Sequence, residues 1–217
     1  KPDLKDNIFD IFVKSIKIDL ESVKAIEKIQ GFNNSIFKQQ DENGNTFLHH
    51  IFSNSNENET MLMFNYYKDK GKIDIELINT QNKLGENCLY TAIEHNPNYA
   101  NLLFDNKLIN KESFSHRDTD NYTTFFRLVA TDNIKLIRQS LNYIDKTIFD
   151  ASLGENNRIF SYVVNEYSTE SFLKDETLLL LVDSEFFDVE IKTSNVNETK
   201  ENSIKNAKNK RIHIRSF

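Results

Sequence analysis

The sequence predicts an all-α protein built as a solenoid of stacked helix-turn-helix repeats. Three observations predict this fold. A short segment with the character of a turn followed by a helix start occurs three times in the 217 residues, beginning at Asp41, Asn82 and Asp118. The intervals between the copies are 41 and 36 residues, which is the length of a helical repeat. Apolar residues within and after each copy recur at the three- and four-residue spacing of one helix face.

The expected domain organisation is one repeat array over residues 1–191 and a basic polar tail over residues 192–217. The expected parts of the array are an N-terminal cap at about 8–40, repeats at about 41–81, 82–117 and 118–150, and a degenerate C-terminal cap at about 151–191. The outermost parts serve as caps because the ends of a stacked array must meet solvent. The tail lacks an apolar period, so we expect it to be mostly disordered without a partner.

Each copy opens with a tight turn. Gly44 and Gly85, and Asn121 in the third copy, are residue types that accept a positive φ at low cost. We therefore expect all three to adopt the left-handed backbone conformation that closes such a turn.

A helix start follows each turn. Thr46, Asn87 and Thr123 carry a side-chain oxygen that can accept from the unpaired N–H groups of a first helical turn. The apolar residue two positions later, Leu48 in the first copy and Leu89 in the second, begins the face that the helix buries.

A second helix follows in each copy, and a similar helix over residues 18–29 precedes the first copy. The polar loop Ser53–Thr60 accounts for the greater length of the first copy, and its composition predicts that it is exposed. The apolar sets that predict the second helices are Met61, Leu62, Phe64 and Tyr66; Tyr99, Leu102, Leu103 and Phe104; and Ile134, Leu136, Ile137 and Leu141.

The first copy resembles the ankyrin repeat family. Gly44-x-Thr46-x-Leu48-His49 matches that family's Gly-x-Thr-Pro-Leu-His signature, with Phe47 in place of Pro. The resemblance implies about four to five stacked helix pairs and a concave surface built from turn tips and first helices. It also implies that His49 is a structural residue whose ring hydrogen-bonds to the neighbouring turn.

The resemblance covers about residues 8 to 142, with two departures. The helix-opening Pro is absent from every copy, which removes some preorganisation of the first helical turn. Tyr90 and Phe126 stand where the first copy has His49, and a phenyl ring cannot make the hydrogen bond of that histidine. We therefore expect a divergent array of modest stability.

Charge and hydropathy exclude several classes of function. The chain has 27 Lys and Arg against 33 Asp and Glu, a net charge of −6. Residues 192–217 hold seven basic and two acidic residues, a net charge of +5, which leaves −11 on the rest. Such an acidic body repels phosphates, so any nucleic-acid contact is confined to the tail. The longest apolar run, residues 178–182, is far below the roughly 20 residues of a membrane span.

No catalytic, metal or cofactor site is predicted. The five His have no further ligand at a zinc-binding spacing, and no Gly-rich phosphate loop occurs. Cys88 is the only Cys, so no internal disulfide forms and a reducing compartment is the simpler expectation. Because no base can be assigned beside Cys88 in the sequence, we interpret it as structural. We expect a protein that is not an enzyme.

The function implied by the resemblance is the binding of a protein partner by a cytoplasmic monomer. Stacking repeats the same geometry at each step, so the second, third and fifth residues of each turn project along one edge. The acidic character of this row predicts a partner with basic groups around an apolar pocket. The residues expected to bind the partner are Glu42, Asn43 and Asn45; Lys83, Leu84 and Glu86; and Thr119, Asp120 and Tyr122.

Two alternatives stay open. The first alternative is that the segment is the targeting or substrate-recruiting module of a larger secreted enzyme. Its Asn, Lys and Ile bias resembles ankyrin-bearing effectors of intracellular bacteria, which act on host proteins in a host cytoplasm. In the other case the array is an intramolecular scaffold without a free partner surface.

Overall fold

The computed structural model describes residues 4–153 together with Thr177, Leu180 and Leu181. In this part of the chain every regular element is a helix and no strand is formed, which confirms the all-α class there. None of the described helices is long and apolar enough to cross a bilayer. Most of the expected C-terminal cap and the whole basic tail lie outside the described residues.

The helices come in groups of three, and a turn separates one group from the next. The turns occupy residues 41–45, 82–86 and 118–122. The helices are α1 (Leu4–Ile16), α2 (Leu20–Ile26), a 3₁₀ helix (Asn34–Lys38), α3 (Phe47–Phe52), α4 (Glu57–Asp69), α5 (Ile75–Asn79), α6 (Cys88–His95), α7 (Pro97–Asp105), α8 (Lys111–Ser115), α9 (Thr124–Ala130), α10 (Ile134–Ser140) and α11 (Lys146–Leu153).

The third helix of each group is a feature that the sequence analysis missed. It begins in every group at an Asx N-cap: Asn33, Asp74, Asn110 or Asp145. Each cap accepts a backbone N–H two or three residues later, at 2.7 to 3.2 Å. Because Asn and Asp satisfy the unpaired N–H groups of a helix start, each cap permits a short helix that has little periodicity of its own.

The predicted helix starts fall at α3, α6 and α9. Asn87 Oδ1 accepts from Tyr90 N–H at 2.8 Å, which confirms the predicted cap of α6. Thr46 precedes α3, and its N–H donates to Nδ1 of His49 at 3.1 Å. Thr123 lies immediately before α9 and is buried.

The chain divides into two compact units, Lys1–Thr124 and Phe125–Phe217. In the first unit α3 packs between α1 and α6, so the first helices of successive groups stack. An aromatic cluster of Phe12, Phe37, Phe47 and Tyr67 joins α1, the 3₁₀ helix, α3 and α4, with ring centroids 5.2 to 6.2 Å apart. Phe47, the first residue of α3, is thus a core residue that packs against three other aromatic rings.

The second unit has its own described core. Phe125 of α9 packs against Phe149 of α11, with ring centroids 6.1 Å apart. Leu136 and Ile137 of α10 are fully buried. This unit therefore also buries one face of each of its three described helices.

The second helix of the first copy, α4, buries only part of its apolar residues. α4 buries Met63, Phe64 and Tyr67, whereas Met61 and Leu62 are 41% and 51% exposed. The predicted helix is therefore present, and the helices that flank α4 cover only one of its two neighbouring apolar stripes.

The polar loop of the first copy is shorter than predicted. α4 begins at Glu57, and two polar residues of the expected loop are buried. Asn54 Nδ2 donates to the carbonyl of Ile16 at 2.7 Å, and Thr60 Oγ1 donates to that of Ile51 at 3.2 Å. The greater length of this copy comes mainly from α4, which has 13 residues where α7 has 9.

Candidate partner-binding surface

The three turns share one hydrogen-bond network. The first residue of each, Asp41, Asn82 or Asp118, accepts on Oδ1 from the N–H groups of the third and fifth residues at 2.8 to 3.0 Å. Its carbonyl accepts from the fourth residue, and its N–H donates to the carbonyl of the fifth, at 2.9 to 3.0 Å. The three segments therefore fold alike although their sequences differ.

The fourth residue of each turn has a positive φ, as predicted. The φ values are 80° at Gly44, 79° at Gly85 and 66° at Asn121. At Gly44 an added Cβ would lie 2.8 Å from the backbone nitrogen of Lys83, and at Gly85 it would overlap the carbonyl oxygen of Arg117. Glycine is required at these two positions both for the backbone conformation and for the close approach of the next turn.

Adjacent turns are joined backbone to backbone. Lys83 N–H donates to the carbonyl of Asn43 at 2.9 Å, and Thr119 N–H donates to that of Leu84 at 2.9 Å. In both cases the second residue of one turn bonds to the third residue of the preceding turn. We call this row of linked turns the turn ladder.

The turn ladder arranges the nine predicted partner-binding residues in two classes. The second and third residues of each turn are exposed, and Leu84 is 53% exposed. The fifth residues, Asn45, Glu86 and Tyr122, are half-buried. Asn82 Nδ2 donates to Oδ1 of Asn45 at 3.0 Å, which links the first two turns, and to Oε2 of Glu86 at 2.8 Å, which is a bond within the second turn.

Side chains of the first helices also reach the following turn. Nδ1 of His49 accepts from Thr46 N–H, so Nε2 carries the proton and donates to the carbonyl of Glu86 at 3.2 Å. The corresponding residue of the second copy, Tyr90, donates its hydroxyl to Oδ2 of Asp118 at 2.9 Å. The expectation that the second copy lacks this link was wrong, because the phenol hydroxyl reaches the next turn where a phenyl ring would not.

The packing of α3 against α6 brings Cys88 beside His49, which the sequence did not reveal. Cys88 Sγ lies 3.4 Å from His49 Nδ1 and 3.5 Å from the carbonyl of Leu77. Burial raises the pKa of Cys88 to about 12 and lowers the pKa of His49 to about 4. Both groups are therefore neutral near pH 7, which is the opposite of the thiolate and imidazolium of a cysteine nucleophile.

A hydrogen bond between His50 and Asp41 ties α3 to the first turn. His50 Nε2 lies 2.9 Å from Asp41 Oδ2. Although burial acts in the opposite direction, hydrogen bonds from the backbone of Asn45 and Asn43 and from His50 lower the pKa of Asp41. Burial lowers the pKa of His50, against the attraction of Asp41. An anionic carboxylate thus accepts from a neutral imidazole at the foot of the turn.

Two cavities open at the feet of the turns. One of about 330 Å³ lies between the first and second turns and reaches Thr91 and His95 of α6. The other, of about 720 Å³, lies between the first turn and α1. The two share Asn43, Asn45 and Ser53, so they adjoin at the first turn, and we call them together the groove.

Among the described residues no group of three or more His, Cys, Asp or Glu side chains could hold a metal ion. Comparison of the chain with protein-family models and with curated proteins gives no match.

Proposed function

We propose that the chain is an ankyrin-like repeat array that binds a protein partner through its turn tips and the groove beneath them. The observation that carries this proposal is the turn ladder. Its inter-turn hydrogen bonds hold three tips in one row, so the exposed second and third residues of each turn are positioned before any partner arrives. A preorganised surface of this kind loses little conformational entropy on binding.

The chemistry of the row supports a partner with basic groups around an apolar pocket. Glu42 and Asp120 are exposed acids at the two ends of the row, with Lys83 between them. Leu84 stands beside Lys83 as an exposed apolar side chain, and Tyr122 adds a half-buried ring at the third turn. Apolar and aromatic anchors at the centre of an interface carry most of its affinity, while the charges select and orient the partner.

We further propose that this segment performs no chemistry. Cys88 and His49 form a thiol–imidazole contact, the kind of pair that a cysteine nucleophile would need, but both residues are at most 1% exposed. Their pKa values move in the directions that keep both neutral, and a neutral buried thiol is a poor nucleophile.

The test is the affinity of a partner that has first been captured with the chain from a cell lysate and identified by mass spectrometry. The double variant Leu84→Ser, Tyr122→Ser should fold normally and lose at least about tenfold in affinity, equivalent to about 1.4 kcal/mol. Leu62→Ser is the matched control, because Leu62 is 51% exposed but lies on α4 away from the turns. Unchanged affinity in the double variant, with its circular dichroism spectrum intact, would place the binding surface elsewhere.

A further inference from the structure

The turn ladder is open at its N-terminal edge. Lys83 and Thr119, the second residues of the second and third turns, each donate their N–H to the preceding turn. Glu42 holds the same position in the first turn, and its N–H donates to no described residue. The helices that precede the first turn supply no turn of their own to complete the row in the described part of the chain.

A cavity occupies the place where a preceding turn would lie. The three turns share one internal hydrogen-bond network, so the N–H groups of their second residues point in the same direction. In the second and third turns this direction is towards the preceding turn. In the first turn the Glu42 N–H therefore points away from the second turn and towards α1. The cavity of about 720 Å³ lies on that side, between the first turn and α1. Its volume is within the range of about 300 to 1,000 Å³ that is common for binding pockets.

Two lysines line this cavity on the side of α1, together with Asp10. Lys14 and Lys17 are exposed, lie three residues apart on or just after α1, and form no ion pair with a described residue. Lys17 is close enough to His50 for its charge to act on that ring. Asp41 and Glu42 of the first turn and Asp10 of α1 carry negative charge around the same cavity, so an incoming carboxylate is favoured only beside the two lysines.

We propose that this edge receives an acidic turn or extended segment of a partner protein. The segment offers a backbone carbonyl to the Glu42 N–H and a carboxylate to Lys14 and Lys17. Its backbone contact extends the turn ladder by one rung, as strand addition extends a sheet. The inference rests on the proposed function, since it identifies a second contact of the same partner-binding array.

Glu42 itself provides a sharp test. It is the second residue of a turn that the Gly44 N–H closes onto the carbonyl of Asp41 at 2.9 Å, a position at which Pro is favoured. Glu42→Pro therefore removes the open donor without breaking an internal hydrogen bond. Glu42→Ala is its matched control, because it removes the side chain and keeps the donor.

The probe is a peptide with the sequence of residues 40–46, closed into a ring by a disulfide between two added terminal cysteines. It contains the carbonyl of Asn43 that accepts from Lys83 in the intact chain, and its two acidic side chains give it a net charge of −2. The control ring has the sequence of residues 81–87, which folds into the same turn and has no net charge. Each ring is titrated to about 2 mM into the isotope-labelled full chain and followed by amide NMR shifts.

We expect the 40–46 ring to shift the Glu42 amide in a saturable way and the neutral ring to bind at least about threefold more weakly, because exposed ion pairs contribute a few tenths of a kcal/mol each. Glu42→Ala should keep the affinity. Glu42→Pro should abolish the shifts at neighbouring Asn43 and Lys17, and a Lys14→Ala, Lys17→Ala variant should weaken binding at least about threefold.

Three results would overturn the inference. The first is the absence of an amide shift at the first turn at the highest peptide concentration. The second is binding of the 40–46 ring by Glu42→Pro with the same affinity as by the wild type. The third is a shift of the Glu42 amide that depends on protein concentration without peptide, which would assign the edge to self-association. The proposed function is tested separately by the Leu84→Ser, Tyr122→Ser variant. That variant should bind the 40–46 ring as the wild type does, so failure at one surface is distinguishable from failure at the other.

Discussion

Mild acid should destabilise the chain through His49. This ring is 1% exposed and uses both nitrogens: Nδ1 accepts from the N–H of Thr46, and Nε2 donates to the carbonyl of Glu86 in the second turn. A proton on Nδ1 would abolish the acceptor and place a charge in the core between two repeats. Burial accordingly lowers the pKa of His49 to about 4.

The magnitude follows from the difference between the folded and unfolded states. An unfolded histidine has a pKa near 6.5, so below that pH the unfolded chain takes up a proton that the folded chain refuses until about pH 4. The free energy of unfolding therefore falls as the pH is lowered from about 6.5 to 4. Relative to pH 8, the loss due to His49 is about 2 kcal/mol at pH 5 and about 3 kcal/mol at pH 4. Burial also lowers the pKa values of His50 and His116, which add a loss of the same sign.

Urea unfolding followed by circular dichroism at several pH values measures this loss. In His49→Gln the free energy lost between pH 8 and pH 5 should be about 2 kcal/mol smaller than in the wild type, because the titrating group is gone. His95→Gln is the control, since it removes an exposed histidine at the end of α6. Parallel pH profiles for the wild type and His49→Gln, or an NMR titration of the His49 ring centred near pH 6.5, would refute the reasoning.

Two further predictions concern stability and are checked by urea midpoints. Gly85→Ala should lower the free energy of unfolding by several kcal/mol, because the added Cβ would overlap the carbonyl of Arg117. Gly71 has a φ of 64° and no atom near the added Cβ, so Gly71→Ala should lower it by only about 1 kcal/mol. Equal losses in the two variants would contradict the close contact of the turns. Tyr67→Phe should cost less than Tyr99→Phe, because the buried Tyr67 hydroxyl makes no close hydrogen bond with a described residue, although the Glu27 carboxylate lies nearby, whereas Tyr99→Phe removes a buried hydrogen bond and should cost about 1 kcal/mol. A larger loss in Tyr67→Phe would contradict this account.

The features that the sequence predicted well depend on short-range chemistry. Positive φ at Gly44, Gly85 and Asn121 follows from the residue types, and the start of α6 follows from the cap at Asn87. The short third helices have local signals as well, since Asp or Asn caps recur at their starts. A five-residue helix such as α5 is, however, too short to show an apolar period, so a search for periodicity passes over it.

The features that the sequence did not predict depend on tertiary packing. α4 has apolar residues on two neighbouring stripes, and only the position of the flanking helices decides that Met63 is buried while Leu62 is exposed. The contact between Cys88 and His49 joins residues of different repeats, 39 positions apart, and exists only because α3 and α6 stack. The open edge at Glu42 likewise becomes visible only when the hydrogen bonds between turns are compared.

The two links from a first helix to the next turn reach the same geometry with different side chains. The first copy uses an imidazole that donates to a backbone carbonyl, and the second uses the Tyr90 hydroxyl, which donates to the Asp118 carboxylate. What the stack requires at this position is a donor that reaches the next turn, and either side chain supplies it. The consequence is an asymmetry. The link to the second turn contains a buried imidazole that mild acid would charge, and the Tyr90 link to the third turn contains none. The loss of stability predicted for His49 is therefore centred on the link to the second turn, which carries Leu84, so this loss and the proposed binding surface meet at the same place in the molecule.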